Sequence, residues 1–456
     1  MCGIYLTNIP YEESVVKEKL ESISFRGPDY TGIRKVNNLT LGHLRLSILD
    51  LDARSHQPMT CENLHIVFNG EIYNYKDIKA ELSAKGYLFK TESDTEVLLI
   101  GYKEWGEGIL QKINGMFAFC IYDTARNEIF SARDRLGVKP FYYYWENGEF
   151  EICSQIRPLL KDKKINEDAI SMFLDCKFIP SPYTIAENVH KLPSGNYMKI
   201  DLNSKEFKIK EYWNLDYVKT RNISYEDAKK ELHDLLIDAV KIRLQSDVSI
   251  GSFLSGGIDS ALVSSIAAKV SDTPINTFSI GFDDPEYDES KIAEQFAGIM
   301  RSNHKTTICS SEDILKLIPK LVEVYDEPFA DSSALPSLLL NSVTKEHVTV
   351  ALSGDGGDES FMGYGHFDSL IKNKFIINIP YSIRKILSSS FLLRMIGQNT
   401  YRVKNALRTK TRNDFIENIF SRKGFLLKEK KQDYMKHYQG YKKWSSNFLQ
   451  KAADLN

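Results

Sequence analysis

The sequence predicts a multidomain α/β protein, and three observations carry that reading. The chain is 456 residues long, more than the roughly 250–300 residues that one hydrophobic core usually supports. Its first half interleaves apolar strand-like runs with helical segments. Its second half, from Ser224 onward, alternates short apolar strands with helices, the pattern of a parallel sheet covered on both faces. Hydrophobic residues at 42% and charged residues at 26% are ordinary for a globular protein and exclude a disordered or collagen-like chain.

Taken in order, Leu64-His65-Ile66-Val67-Phe68 reads as a strand closed by Asn69-Gly70. Helices are expected at 75–85 and 95–105, where good helix formers recur at helical spacing. Phe117-Ala118-Phe119-Cys120-Ile121-Tyr122 and Phe141-Tyr142-Tyr143-Tyr144-Trp145 are further strands, the latter followed by the turn residues Glu146-Asn147-Gly148. A connecting region follows at 179–215, with Pro180, Pro182, Pro193 and Gly195. We place the domain boundary near 205–222, giving domains 1–210 and 211–456. A long amphipathic helix is expected at 225–246, with Ala228, Leu232, Leu235, Leu236, Ala239 and Ile242 on one side. Strands at 249–254, 274–280 and 348–352 come next, and a helix at 261–270. After about residue 368 only helical patterns remain, such as 413–420.

The formal net charge is −2, which argues against a protein built chiefly to hold nucleic acid. The balance is uneven: residues 371–456 hold 19 Lys+Arg and 5 Asp+Glu, a local +14. Such a segment can bind anions, but solvated faces of C-terminal helices are the plainer reading. No run of about 18 apolar residues suggests a membrane span. The start, Met1-Cys2-Gly3-Ile4-Tyr5, lacks the basic and apolar regions of a secretory signal, so a cytoplasmic location is expected. The six cysteines include no CxxC pair, which leaves a zinc site or disulfide framework unsupported.

Two loops carry phosphate-binding chemistry. Ser255-Gly256-Gly257-Ile258-Asp259-Ser260 follows a strand and opens a helix. Its glycines let backbone approach an anion, and a helix N-terminus offers unpaired N–H groups. Asp259 can hold a Mg²⁺ that binds phosphate. No Gly-Lys-Ser/Thr follows, so this is not a Walker loop. Ser353-Gly354-Asp355-Gly356-Gly357-Asp358-Glu359 repeats the arrangement after 348–352. In a parallel sheet both loops belong at the C-terminal edge, where ligands bind. At the other end of the chain, removal of Met1 would expose Cys2 with thiol and α-amine on adjacent carbons. With pKa values of about 8.5 and 7.7–8.0, that pair can act as nucleophile and base without a histidine. Asn69-Gly70 alone reads as a hairpin turn.

Together these residues resemble known families. SGGIDS resembles the PP-loop of ATP pyrophosphatases. With Asp326-Glu327-Pro328-Phe329-Ala330-Asp331-Ser332-Ser333 and SGDGGDE, the likeness narrows to the asparagine synthetase family. Ser24-Phe25-Arg26-Gly27-Pro28-Asp29, Leu44-Arg45-Leu46-Ser47-Ile48, Asn69-Gly70-Glu71-Ile72-Tyr73-Asn74, Ser93-Asp94-Thr95-Glu96 and Arg133-Asp134-Arg135-Leu136-Gly137 resemble, in that order, the class II glutamine amidotransferase domain.

The resemblance implies an N-terminal-nucleophile αββα sandwich followed by a parallel-sheet PP-loop α/β domain with C-terminal helices. It implies glutamine hydrolysis at Cys2 and ammonia delivery through an internal channel. ATP would activate aspartate as aspartyl-adenylate, and asparagine, AMP and pyrophosphate would result. Carried over, Asn69 and Gly70 form an oxyanion hole. Arg45 takes the glutamine carboxylate, Glu71 and Asp94 take its ammonium, and Leu46, Ser47, Ile48 and Leu49 complete that pocket. Leu254 and Ile280 contact adenosine through backbone. Ser255, Gly256, Gly257 and Ser260 hold pyrophosphate, Asp259 and Asp358 ligate Mg²⁺, Asp355 assists adenylate formation, and Ser353 and Gly354 line the nucleotide and acyl site. Partners would be glutamine, aspartate and ATP, without nucleic acid or membrane; a homodimer is compatible. The likeness is close over 2–367 and loose beyond. A C-terminally truncated synthetase, with its synthetase half in doubt, is therefore one expectation. Gln155 also departs from the usual Ser-Glu at 154–155. Another carboxylate acceptor such as a sugar uronate, glutaminase activity alone, and a degenerate scaffold are the alternatives.

Overall fold

The structure, a computed structural model, describes residues 1–365, 367, 378–387, 407 and 410. The helix expected at 413–420, and most of the basic segment from 371 onward, lie outside the described residues. The chain divides into two compact units. The first comprises Met1–Ile165, Ser181–Asp326 and Ser333–Ser353; the second comprises Asn166–Pro180, Glu327–Ser332 and Gly354 onward. Every strand described below belongs to the first unit.

Twelve strands precede the long helix: β1 (Gly3–Thr7), β2 (Tyr30–Val36), β3 (Leu39–Arg45), β4 (Met59–Cys61), β5 (Leu64–Ile72), β6 (Gly115–Asp123), β7 (Glu128–Arg133), β8 (Tyr142–Glu146), β9 (Glu149–Cys153), β10 (Val189–Lys191), β11 (Asn196–Asp201) and β12 (Glu206–Glu211). They form two antiparallel sheets, ordered β10-β8-β9-β1-β3-β2 and β12-β11-β7-β6-β5-β4. The continuous apolar runs of β5 and β6 are explained by burial on both faces. Val67, Ala118 and Cys120 meet Ile4, Leu6 and Leu41 between the sheets. Phe68, Phe117 and Phe119 pack outward with Leu82 and Leu98, from the helices Tyr75–Ala84 and Asp94–Trp105. On the other outer face Tyr5 and Leu44 pack with Val16 and Leu20 of the helix Glu13–Glu21. The layers are helix, sheet, sheet, helices, as the αββα expectation requires.

One local expectation fails. Asn69-Gly70 does not close a turn; β5 continues to Ile72, with Asn69 opposite Ala118 and Gly70 opposite Phe117. The nine-residue pairing with β6 outweighs the local turn preference. Gly70 serves close approach instead, since a Cβ there would lie 2.3 Å from the Met116 carbonyl oxygen.

The long helix spans Tyr225–Arg243 and is capped by the Ser224 side chain, which accepts from Asp227 N–H. Four strands follow: β13 (Ile250–Phe253), β14 (Asn276–Phe282), β15 (Asn303–Cys309) and β16 (Val350–Leu352). They form a parallel sheet, β15-β14-β13-β16. The helix expected at 261–270 begins earlier, at Ile258, and ends at Val270.

In the second unit, the helix Glu167–Cys176 is capped by Asn166, whose side chain accepts from Ala169 N–H. Ala330 N–H donates to the Lys177 carbonyl at 2.9 Å. The helices Gly357–Phe361 and Tyr381–Leu387 also belong here. No helix among the described residues is long and apolar enough to cross a membrane.

Candidate active site

Side-chain alternation along the strands builds the first site. Leu39 and Leu41 of β3 and Val67 of β5 face the layer between the sheets, so Arg45, Asn69 and Glu71 project from those same faces. Cys2 shares the parity of Ile4 and Leu6. Cys2, Arg45, Leu46, Gly70, Glu71 and Asp94 line one pocket, as do Ile48 and Leu49. Ser47 and Asn69 are not part of its lining. Ser47 N–H donates to Asp29 Oδ2 at 2.7 Å.

The Cys2 Sγ accepts from Leu46 N–H at 3.4 Å, and the Cys2 carbonyl accepts from Arg26 Nε at 3.0 Å. Burial pushes the thiol up, while the Leu46 N–H and the amino terminus pull it down. Burial also pushes the Met1 ammonium down to about 5. Asn69 is fully buried, and its Nδ2 has no hydrogen-bond partner among the described residues. A buried donor left unpaired is expensive in a folded protein and marks a place where a ligand acceptor is expected.

The Arg45 guanidinium donates to the carbonyls of Asp50 at 2.6 Å, Asp52 at 3.0 Å and Leu49 at 3.3 Å. Three of its five donors are thus used to orient it. Burial pushes the Glu71 and Asp94 carboxyls up, and the neighbouring Asp94 strengthens that rise for Glu71. Asp94 Oδ2 accepts from Ile72 N–H at 2.9 Å, which fixes it at the start of its helix. His43 is fully buried, 3.0 Å from the Phe68 carbonyl through Nε2, and held neutral by burial, its pKa lowered to about 3.

The second site begins where β13 ends. Leu254 is buried and its N–H donates to the Phe278 carbonyl at 2.8 Å. The Ser255 and Ser260 hydroxyls lie 2.8 Å apart. Ser260 Oγ accepts from Ser255 N–H at 3.0 Å, and Ser255 Oγ accepts from Gly257 N–H at 3.1 Å. Gly257 is the N-cap of the helix that follows, with no side-chain cap, and Asp259 lies in its first turn. Ile280 lies on the neighbouring strand β14. Because β13 and β16 are parallel neighbours, Ser255 and Ser353 leave the sheet at the same edge. Gly354, Asp355 and Asp358 belong to the second unit. There Gly356 takes a left-handed φ of 91°, Gly357 N–H donates to the Gly354 carbonyl at 3.2 Å, and Gly363 N–H to that of Asp358 at 2.9 Å.

Several polar residues acquire a role only in three dimensions. Glu289 lies against Gly256, where an added Cβ would be 3.2 Å from Glu289 Oε2. Lys139 is buried, and burial lowers its pKa while Glu71 and Cys2 pull it back up. Gln155 joins the two halves of the first unit: its Oε1 accepts from Arg26 Nη1 at 2.9 Å, and its Nε2 donates to Asp326 Oδ2 at 2.9 Å. Arg157 N–H donates to the same Asp326 oxygen at 3.0 Å.

An αββα sandwich with a cysteine pocket, followed by a parallel α/β sheet, is the architecture of an N-terminal-nucleophile amidotransferase domain joined to a synthase domain. Comparison agrees. Residues 1–213 match the glutamine amidotransferase domain family, and residues 231–454 match the asparagine synthase family. A provisionally named glutamine-hydrolysing asparagine synthetase 2 of Methanocaldococcus jannaschii is 36% identical, covering 98% of this chain and 90% of that one. Asparagine synthetase 1 of Bacillus subtilis is 35% identical, over 85% of this chain and 62% of that one. Among solved structures, the glutamine phosphoribosylpyrophosphate amidotransferase of B. subtilis aligns at 16% identity and a TM-score of 0.37, over 67% of this chain and 65% of that one. The chain belongs to the family of glutamine-hydrolysing asparagine synthetases.

Proposed function

We propose that this chain makes asparagine from aspartate, with glutamine as nitrogen donor and ATP as co-substrate. The observation that carries the first half-reaction is the buried Asn69 Nδ2, without a hydrogen-bond partner among the described residues, on a strand that also lines the cysteine pocket through Gly70 and Glu71. With Met1 removed, the Cys2 amine takes the thiol proton and the thiolate attacks the glutamine amide carbon. Burial that already lowers the Met1 amine favours the neutral base. Asn69 Nδ2 and Gly70 N–H would receive the oxyanion, an interaction worth roughly 3–4 kcal/mol per donor. Arg45 retains two donors for the glutamine carboxylate, and Glu71 and Asp94 receive its ammonium. The acyl-enzyme forms as ammonia leaves, and water then releases glutamate.

In the second half-reaction the Ser255–Ser260 loop receives the pyrophosphate of ATP, its hydroxyls and helix N-terminus acting as donors. The aspartate carboxylate attacks the α-phosphate, giving aspartyl-adenylate and pyrophosphate. Ammonia then displaces AMP to give asparagine. Asp259 offers a carboxylate in the first turn of the helix that opens at the loop, an oxygen ligand of the kind a divalent cation takes. Mg²⁺ usually takes one or two carboxylates and completes its shell with phosphate oxygens and water. Asp259 is the residue of this loop that would hold it, and it would neutralise phosphate charge there.

The test is product analysis with glutamine, ATP and aspartate. Asparagine, AMP, pyrophosphate and glutamate in equal amounts are expected. Pyrophosphate formation with a uronate but not with aspartate would replace the acceptor. Glutamate without pyrophosphate would leave a glutaminase only.

A further inference from the structure

The loop that shapes the glutamine pocket is held from outside its own domain. Ile48 and Leu49 line the pocket, and the carbonyls of Leu49, Asp50 and Asp52 orient the Arg45 guanidinium. Midway, Asp50 takes a left-handed φ of 46°, a conformation that a non-glycine residue keeps only when its surroundings hold it. Its carboxylate accepts from Glu92 N–H at 2.7 Å and from Arg54 Nε at 3.0 Å. Its N–H donates to Asp247 Oδ2 at 2.8 Å. Asp247 N–H in turn donates to the Ile48 carbonyl at 3.0 Å. One residue thus grips the loop at both of its central peptide groups. Asp247 lies three positions before β13, the strand that delivers Ser255 to the nucleotide site, and inside the segment matching the asparagine synthase family.

We propose that Asp247 is a positioning residue for glutamine binding: it fixes the Ile48–Asp50 loop, and through the loop carbonyls the Arg45 fork, from the strand that carries the nucleotide loop. The proposal rests on the glutaminase reading given above for the kinetic part, and on geometry alone for the clamp. The Asp247 side chain is exposed, so its replacement removes a contact without opening a core.

The test uses the full chain with Asp247→Ala and Asp247→Asn, read by hydrogen exchange over residues 46–52 and by glutaminase kinetics. Asp247→Ala removes the acceptor for Asp50 N–H. Exchange in that segment is expected to quicken, and KM for glutamine to rise roughly five- to tenfold, the size of one typical net hydrogen bond, with kcat nearly unchanged. Asp247→Asn keeps an acceptor oxygen and is expected to restore both. Unchanged exchange in Asp247→Ala would overturn the clamp, whatever the activity. Quickened exchange with unchanged KM would overturn its role in glutamine binding. A parent chain without glutaminase activity would refute the function proposed above, and the exchange comparison would still judge the clamp.

Discussion

At and beside the cysteine pocket Asn69 is 1% exposed, Arg45 4% and Asp94 5%, whereas in the Ser255–Ser260 loop Ser255 is exposed and Ile258 is 83% exposed. The pocket's polar groups are set by strands buried on both faces. The loop's hydroxyls bond mainly to each other and to their own backbone. The difference is the one the proposed chemistry calls for. An oxyanion that exists only in a transition state is best met by donors already fixed in a dry site. A phosphate chain arrives charged from water and is best met by exposed donors that exchange one partner for another.

The largest effect that tests this contrast is Asn69→Ala. Glutamine turnover is expected to fall roughly 10²–10³-fold in kcat with little change in KM, as for loss of one preorganised donor. A change confined to KM would mean that Asn69 binds substrate without meeting the oxyanion. Asp259→Asn probes the other side: pyrophosphate release is expected to fall at least about tenfold, the loss of a few kcal/mol of phosphate charge stabilisation, with glutaminase turnover intact. A fall in both activities would show that the two sites are not separable in this way.

A smaller effect is expected where the halves meet. Gln155 accepts from Arg26 and donates to Asp326, and a carboxylate in its place could accept but not donate while Asp326 stays ionised. Gln155→Glu loses the donor and faces one carboxylate with another; a loss of roughly 1–3 kcal/mol in unfolding free energy is expected, read as a lower thermal midpoint. Asp326→Asn in the same chain should recover part of it. The smallest effect concerns pH. Burial raises the Glu71 and Asp94 carboxyls, so they take up protons sooner than exposed carboxylates as pH falls. Glutamine KM is therefore expected to rise a few-fold between about pH 8 and pH 6 as the ammonium loses its ionised partners. A KM flat across that range would remove them from ammonium binding.

Much of the architecture was legible because local pattern and tertiary demand agree. The apolar runs around Val67 and Cys120 and the helices after Asn74 and Ser93 stand where periodicity put them. Strand β15, Asn303–Cys309, was not legible, because His304, Lys305 and Thr306 mask a strand whose partner β14 supplies the order. Asn69-Gly70 misled for the opposite reason: a strong local turn signal sits in a strand fixed by β6. The motif residues Cys2, Arg45, Gly70, Glu71 and Asp94 come to one pocket. Asp247 and Glu289 escaped notice, and Gln155 stood out only as a departure from Ser-Glu, with no role attached. Gln155 and Asp247 act through contacts 171 and 197 positions apart in sequence, which no spacing rule reaches, and Glu289 has no motif around it.

The central claim is that one chain couples amide hydrolysis at Cys2 to aspartate activation at the Ser255–Ser260 loop. Its most direct test is asparagine formation by Cys2→Ala, with glutamine and with ammonium chloride as alternative nitrogen donors in the presence of ATP and aspartate. The expected result is loss of glutamine-driven synthesis and retention of ammonium-driven synthesis. Glutamine-driven synthesis at the parent rate, or loss with both donors in a folded variant, would contradict it.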